Sequence, residues 1–186
     1  MSARSKFAPI PDADWPQPVA DMLSGFAGSL NVYRTMAHHP ALLRAWAGLR
    51  EHVVNRSALG RERSEVVILR TGVRLGSDYE WAQHVQRARK YGLTDRRIAL
   101  MRGAPADMAP EDAILARAVD ELFDTRQIAP ATLGDLTAAL GGEALLDLMA
   151  TVGFYSTLAY ILNSFETPLD GDIAAELAAH PIAETT

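Results

Sequence analysis

The chain has 186 residues, of which 48% are hydrophobic and 22% charged, and it contains no cysteine. These fractions are typical of globular proteins and exclude a disordered or fibrous chain, and the length suits a single domain over residues 1–186. The formal net charge of −5 provides no overall basic field that would attract nucleic acid or an anionic membrane. Without cysteine, the chain has no disulfides, thiolate metal sites or thiol-based redox chemistry.

The N-terminus carries Arg4 and Lys6 with no apolar stretch behind them, so we expect no signal peptide and a cytoplasmic protein. One later stretch, from Ala144 to Leu162, contains Asp147 as its only charge and approaches the roughly 20 residues that cross a bilayer. Hydroxyl groups within it and the lack of a basic flank favour a buried helix over a membrane span. We therefore expect neither a membrane nor nucleic acid among its partners.

Helix start and stop signals follow one another along the chain, and no alternating strand pattern appears. Proline or an N-capping residue opens each predicted helix, and glycine ends several of them. The predicted helices begin at Asp14, Pro40, Arg61, Ser77 or Asp78, Thr94, Pro110 and Pro130, and Gly141-Gly142 leads into a long apolar helix. The sequence thus predicts an all-α domain of about eight to ten helices.

Three parts of this domain differ in character. Residues 61–98 hold the densest group of polar side chains, residues 110–165 form a helical C-terminal half, and residues 168–186 form a peripheral tail. The pattern of residues 41–45 recurs at 113–117, each time opening a helix. This repetition leaves open a pseudo-duplicated helical hairpin.

The most promising chemistry lies at Glu80 and His84. These residues are four apart, so their side chains project from the same face of a helix and can meet. A carboxylate beside an imidazole raises the pKa of the imidazole, which would tune an acid–base group. If Gly76 turns the chain back on itself, Glu65 of the preceding helix reaches the same level. Ser77-x-x-Glu80 also fits a capping box, so a purely structural role for Glu80 stays open.

Three groups of residues in this part of the chain recur in a known family. They are Glu65, then Tyr79-Glu80-Trp81-x-x-His84, then Ala88-x-x-x-Gly92-Leu93-Thr94. The run 61–98 resembles the carboxymuconolactone decarboxylase family, which also contains alkylhydroperoxidase D-like proteins. The resemblance implies an alkylhydroperoxidase D-like helical bundle, a homo-oligomer (a dimer, trimer or hexamer) and a reaction without a cofactor. It is looser over residues 31–49.

The chain also departs from the peroxidase branch of that family. There the same helix carries a Cys-x-x-Cys-x-x-x-His motif, and its cysteines fall on Ser77 and Glu80 of this sequence. The histidine of the motif falls on His84, and a glutamate that precedes the motif falls on Glu65. Because both cysteine positions lack a thiol, hydroperoxide reduction through a disulfide, and the lipoyl-adaptor partner that serves it, are disfavoured.

The resemblance therefore points to a cofactor-independent lyase that acts by acid–base catalysis on a small organic acid or lactone from aromatic-compound catabolism. In this hypothesis His84 moves the proton, Glu80 orients His84 and raises its pKa, and Glu65 relays protons or binds substrate. The candidate substrate-binding residues are Tyr33, Arg34, Ser77, Tyr79 and Trp81.

Other interpretations stay open. The fold could serve a non-catalytic, oligomeric small-molecule-binding protein. Glu65, Glu80 and His84 could instead hold a divalent metal in a metal-dependent lyase or hydrolase, although we expect no metal. Further candidates are the pair His38-His39 as metal ligands, Arg74 as a carboxylate-binding residue, and Tyr155, Tyr160 and Asn163 as a pocket wall.

Overall fold

The N-terminal part forms short helical turns. The computed structural model describes residues 4–182, which contain helices and no strand, so the expected all-α class is confirmed. The predicted first helix at Asp14 is wrong, because 3-10 turns over Asp12–Asp14 and Gln17–Met22 take its place. Proline is tolerated in the first turn of either helix type, so Pro16 and Pro18 do not enforce an α-helix, and the non-helical backbone of Val19 (φ −128°, ψ 24°) interrupts the run. Two short helices follow, α1 (Phe26–Ser29) and α2 (Asn31–Met36).

Helix α3 (Pro40–Glu51) begins at the predicted proline, and the ring of His39 caps it by accepting a hydrogen bond from the backbone N–H of Leu42 at 3.4 Å. The helix continues into a π-helical turn, His52–Arg56. Asp147 anchors this turn, since one of its carboxylate oxygens lies 2.6 Å from Nε2 of His52.

Helices α4 (Arg61–Leu75) and α5 (Asp78–Lys90) form an antiparallel hairpin. The turn between them requires Gly76, whose φ of 57° lies in the left-handed region that favours glycine. Thr94 caps the short helix α6 (Asp95–Leu100) that follows. This hairpin is the element that decides which polar side chains meet.

Helix α7 (Pro110–Thr125) and helix α8 (Pro130–Phe165) complete the bundle, with α9 (Gly171–Ala179) at its edge. Gly141, at φ 81° and ψ 170°, kinks α8 where the sequence predicts a break between two helices. By length and composition α8 alone, among residues 4–182, would be able to span a bilayer, and 56% of its most apolar window is buried inside the protein.

The hydrophobic core consists of two clusters that share α4 and α8. Val67 of α4 and Leu148 of α8 belong to one cluster, whereas Ile68 and Phe154 belong to the other. Because both faces of α4 are covered, a continuous run of its side chains, 64–72, is buried. Polar groups within that run are therefore held in fixed positions by apolar packing.

Candidate active site

The α4–α5 hairpin brings Glu65 into contact with His84. Glu65 lies in the buried run of α4, and His84 lies on the inward face of α5, so both side chains point into the same apolar layer. Nδ1 of His84 is 2.6 Å from Oε2 of Glu65. The hairpin, rather than sequence proximity, creates this contact, because the two residues are 19 positions apart.

Glu80 completes a linear arrangement of two carboxyl groups around one imidazole. Its Oε2 lies 3.5 Å from Nε2 of His84, on the ring edge opposite Glu65. Glu65, Glu80 and His84 are only 4%, 3% and 2% exposed, so the cluster is almost fully shielded from water. Oε1 of Glu80 is buried and has no hydrogen-bond partner among the described residues.

Only half of the predicted capping box forms. The hydroxyl of Ser77 accepts a hydrogen bond from the backbone N–H of Glu80 at 3.5 Å. The backbone N–H of Ser77, however, donates to the carbonyl of Gly72 at 3.0 Å and does not use the Glu80 carboxylate. The Glu80 side chain is thus free of a capping role and turns inward.

Burial changes the proton affinity of the cluster. Burial, reinforced by Glu65 and opposed by Arg87, raises the pKa of Glu80 to about 8. Burial lowers the pKa of His84, and Glu65 opposes this only in part, so the expected rise in the pKa of His84 is wrong. At neutral pH the cluster therefore contains a protonated Glu80 and a neutral His84, whose Nδ1–H donates to Glu65.

A cavity of about 150 Å³ reaches Glu65 from the outside. Besides Glu65, its lining is rich in basic and aromatic groups: Arg50, Arg61, Arg87, Lys90, Tyr91 and Tyr155. Neither Glu80 nor His84 lines it. Glu65 is therefore the member of the cluster that a molecule in this cavity would meet first.

A much smaller void of about 20 Å³ lies on the inner side, next to Glu80 and His84. Its lining includes Tyr33 and Tyr155, and the Tyr155 ring meets the His84 ring edge-on with 4.9 Å between their centroids. Burial raises the pKa of Tyr33 to about 12 and that of Tyr155 well above its usual range, so both phenols keep their protons. The void is large enough for one water molecule.

The predicted substrate-binding residues are divided among three places. Tyr33 and Tyr79 line the inner void, and the Tyr79 hydroxyl is bonded to Asp170. Ser77 and Trp81 line another cavity of about 370 Å³ near the α4–α5 turn, where Arg102 stacks on Trp81. That cavity does not include Glu65, Glu80 or His84.

Arg34 does not join the cluster, contrary to expectation. Its guanidinium donates to the carbonyls of Gly28 and Ile10 at 2.8 and 2.7 Å and pairs with Asp12 at 2.6 Å, which fixes the N-terminal turns. Arg74, the other arginine considered, pairs with Asp120 and Asp124.

The three residues considered for a pocket wall, Tyr155, Tyr160 and Asn163, lie in different surroundings. Tyr155 lines both the cavity and the void. Tyr160 is largely exposed, whereas Asn163 donates to the carbonyl of Leu75 at 3.0 Å.

Arg50 and Arg87 are two of the cavity residues that the sequence did not single out. Arg87 lies three residues after His84, on the same face of α5, and this spacing is the signal that would have identified it. Arg50 extends from α3 over the ring of Phe26, with 4.2 Å between the guanidinium and the ring centroid. Helix α3 meets α8 through the stacked rings of Trp46 and Phe154, 4.6 Å between centroids, and no local sequence pattern predicts such a long-range contact.

No group of three metal-binding side chains is found in the part of the chain that the structure describes. Nε2 of His38 lies 2.8 Å from the carbonyl oxygen of Ala8, and His39 caps α3, so these neighbours serve separate contacts. Within the cluster, both ring nitrogens of His84 already face carboxyl groups.

The sequence profile of the carboxymuconolactone decarboxylase family matches residues 40–121, a range that contains Glu65, Glu80 and His84. Over this range the chain is similar to that family. The match runs from the start of α3 into α7 and includes α4 and α5, which build the cluster, whereas Tyr155 of the cavity wall lies outside it in α8. No curated protein sequence matches this chain significantly.

Solved structures of similar fold cover nearly the whole chain. The debrominase Bmp8 aligns with a TM-score of 0.72 at 14% identity, covering 95% of this chain and 98% of its own. A peroxidase-related protein from Ralstonia eutropha JMP134 with an alkylhydroperoxidase AhpD core aligns with a TM-score of 0.73 at 16% identity, covering 90% and 94%. A peroxidase-related protein from Silicibacter sp. TM1040 gives 0.73 at 13% identity, covering 93% and 97%. At these identities the likeness establishes the AhpD-like fold alone.

Proposed function

We propose that this protein is a cofactor-independent acid–base enzyme, a lyase of the decarboxylase type, that acts on a small organic acid or lactone. The observation that carries the proposal is the buried line of Glu65, His84 and Glu80, in which burial raises the pKa of Glu80 and lowers that of His84. Paired groups whose environments separate their proton affinities are typical of enzymes that move protons.

The line of side chains suggests how a proton reaches the substrate. Glu80 passes its proton to Nε2 of His84, while the proton on Nδ1 passes to Glu65 at the cavity wall. The 3.5 Å between Oε2 of Glu80 and Nε2 of His84 would have to shorten, as catalytic hydrogen bonds often do when substrate binds. Glu65 would then deliver the proton to carbon.

Atoms, electrons and protons balance in a decarboxylation. The bond between the substrate and its carboxylate breaks, CO₂ leaves, and the electron pair stays on the substrate as an enolate. The proton from Glu65 then forms the new C–H bond. A proton from water next enters at Glu65 and returns through His84 to Glu80, which restores the starting protonation and the Nδ1–H tautomer of His84. No external oxidant or reductant is needed, which suits a chain with no cysteine.

The experiment supplies a panel of small carboxylates and lactones in D₂O and follows product formation by NMR. We expect one substrate class to release CO₂ or exchange a C–H bond, with deuterium at the protonated carbon. His84→Ala should lose this activity and the exposed-histidine control His180→Ala should keep it. Equal turnover in a folded His84→Ala variant would contradict the proposal.

A non-catalytic anion-binding protein is the second candidate. The observation that favours it is that the 150 Å³ cavity includes Glu65 but neither Glu80 nor His84. In that case the panel would bind and the NMR experiment would show no transfer of deuterium.

A further inference from the structure

Arg87 is a half-buried cation without a partner. Its guanidinium lines both the 150 Å³ cavity and the inner void, one turn of α5 beyond His84. It forms no hydrogen bond or ion pair with any side chain or carbonyl within residues 4–182. A desolvated charge that lacks a partner is costly, so an arginine kept in this state indicates a ligand of opposite charge.

Apart from Arg50 of the same cavity, the other buried and partly buried arginines among residues 4–182 each pair with a carboxylate. Arg70 binds Asp120 in a bidentate contact with N–O distances of 2.8 and 2.6 Å. Arg97 binds the buried carboxylate of Asp112 in the same manner, at 2.5 and 2.7 Å. The fold therefore supplies carboxylates for its structural arginines, whereas Arg50 and Arg87, which share the cavity, have none.

The acidic groups nearest to Arg87 are already engaged. Glu65 accepts the Nδ1–H of His84, and Glu80 carries a proton at neutral pH. Arg50, Arg61 and Lys90 add further positive charge around the same cavity, and none of them forms an ion pair with a described residue. The cavity thus has an excess of positive charge in a protein whose formal net charge is −5.

We propose that Arg87 binds the carboxylate of the ligand, and that this contact holds the ligand against Glu65 and Tyr155. The assignment rests on the proposed function and deepens it, because it names the residue that recognises the substrate as a small carboxylate ion. A guanidinium suits this task, since it can donate two parallel hydrogen bonds to one carboxylate. Arg50, Arg61 and Lys90 attract the anion, and Arg87 fixes the position at which its carboxylate binds.

The test uses malonate as the probe and its neutral diamide, malonamide, as the matched control ligand. Isothermal titration calorimetry on the whole protein at fixed ionic strength measures both affinities. We expect malonate to bind and malonamide to bind much more weakly. Arg87→Gln should weaken malonate binding by roughly tenfold or more, Arg87→Lys by less, and the exposed control Arg96→Gln should leave it unchanged.

Each other outcome overturns the assignment. Failure of malonate to bind, equal affinity for malonamide, or unchanged affinity in Arg87→Gln or Arg87→Lys relative to the wild type would do so. Arg87→Lys keeps the charge in case the glutamine variant fails to fold. The binding result is independent of turnover, so malonate binding that depends on Arg87 together with no deuterium transfer would contradict the enzyme alone.

Discussion

Glu80 is a buried carboxyl group, and its burial disfavours the ionised form. Its raised pKa of about 8, against an ordinary value of 4.5, has a consequence for stability. Between these two pH values the unfolded chain loses the proton while the folded protein keeps it. The free energy of unfolding therefore falls as pH rises through this window, by up to about 1.4 kcal/mol for each pH unit.

Glu80→Gln removes the titrating group while keeping its shape. We expect the stability difference between this variant and the wild type to shift in favour of the variant from about pH 5 to about pH 8, by a few kcal/mol in all. Urea unfolding at several pH values measures it. His84, whose pKa is lowered, acts in both proteins and cancels in the comparison. Wild-type and variant curves that stay parallel, as expected for the exposed control Glu143→Gln, would contradict the proton on Glu80.

The sequence was enough to predict which three residues form the cluster. It was not enough to predict where the protons lie among them. Helical spacing brings Glu80 beside His84, and a turn at Gly76 brings Glu65 to the same level. The sequence does not show that Glu65 makes the shorter contact, or that burial outweighs it and lowers the pKa of His84. Both depend on tertiary packing. Arg87 was missed because basic residues near a helix C-terminus are common for reasons of the helix dipole.

At the scale of elements, clear start and stop signals made the helices predictable. Helices α3, α4 and α7 begin at the residues expected, because Pro40, the Gly60–Arg61 boundary and Pro110 are unambiguous signals. The prediction of an α-helix in the N-terminal segment was wrong because Pro16 and Pro18 fit 3-10 turns equally well. The suggested duplication of the helical hairpin stays a prediction.

The kink of α8 offers a matched pair of glycines. Gly141 adopts φ 81° and ψ 170°, a region almost reserved for glycine, whereas Gly142 has no such requirement and open space around its Cα. Gly141→Ala should destabilise the protein by about 1–3 kcal/mol. Gly142→Ala should be neutral or stabilising by up to about 1 kcal/mol. Thermal or urea unfolding tests both, and equal effects of the two substitutions would contradict the kink.

At the scale of the whole molecule, one face of α8 suggests self-association. Leu146 and Tyr160 are 68% and 59% exposed and share this face with Met149, at helical spacing. A large exposed apolar face commonly marks an interface, and the homo-oligomer expected from the sequence would cover it with a second copy of the chain.

Substitution of this face tests the oligomer. Leu146→Asp should convert the oligomer to monomer in sedimentation velocity, because a charge would be buried at the contact. Ala178→Asp, which places the same charge on the exposed side of α9, should leave the oligomer intact. A wild-type protein that sediments as a monomer would refute this proposal.

Transfer of a proton to the substrate by Glu65, His84 and Glu80 is what we propose. It is tested most directly by the rate of deuterium transfer to carbon in D₂O, comparing wild type with His84→Ala. We predict a fall of roughly 10²- to 10⁴-fold, the usual contribution of a general acid or base, with binding of malonate retained. A folded His84→Ala variant that transfers deuterium at the wild-type rate would contradict the account.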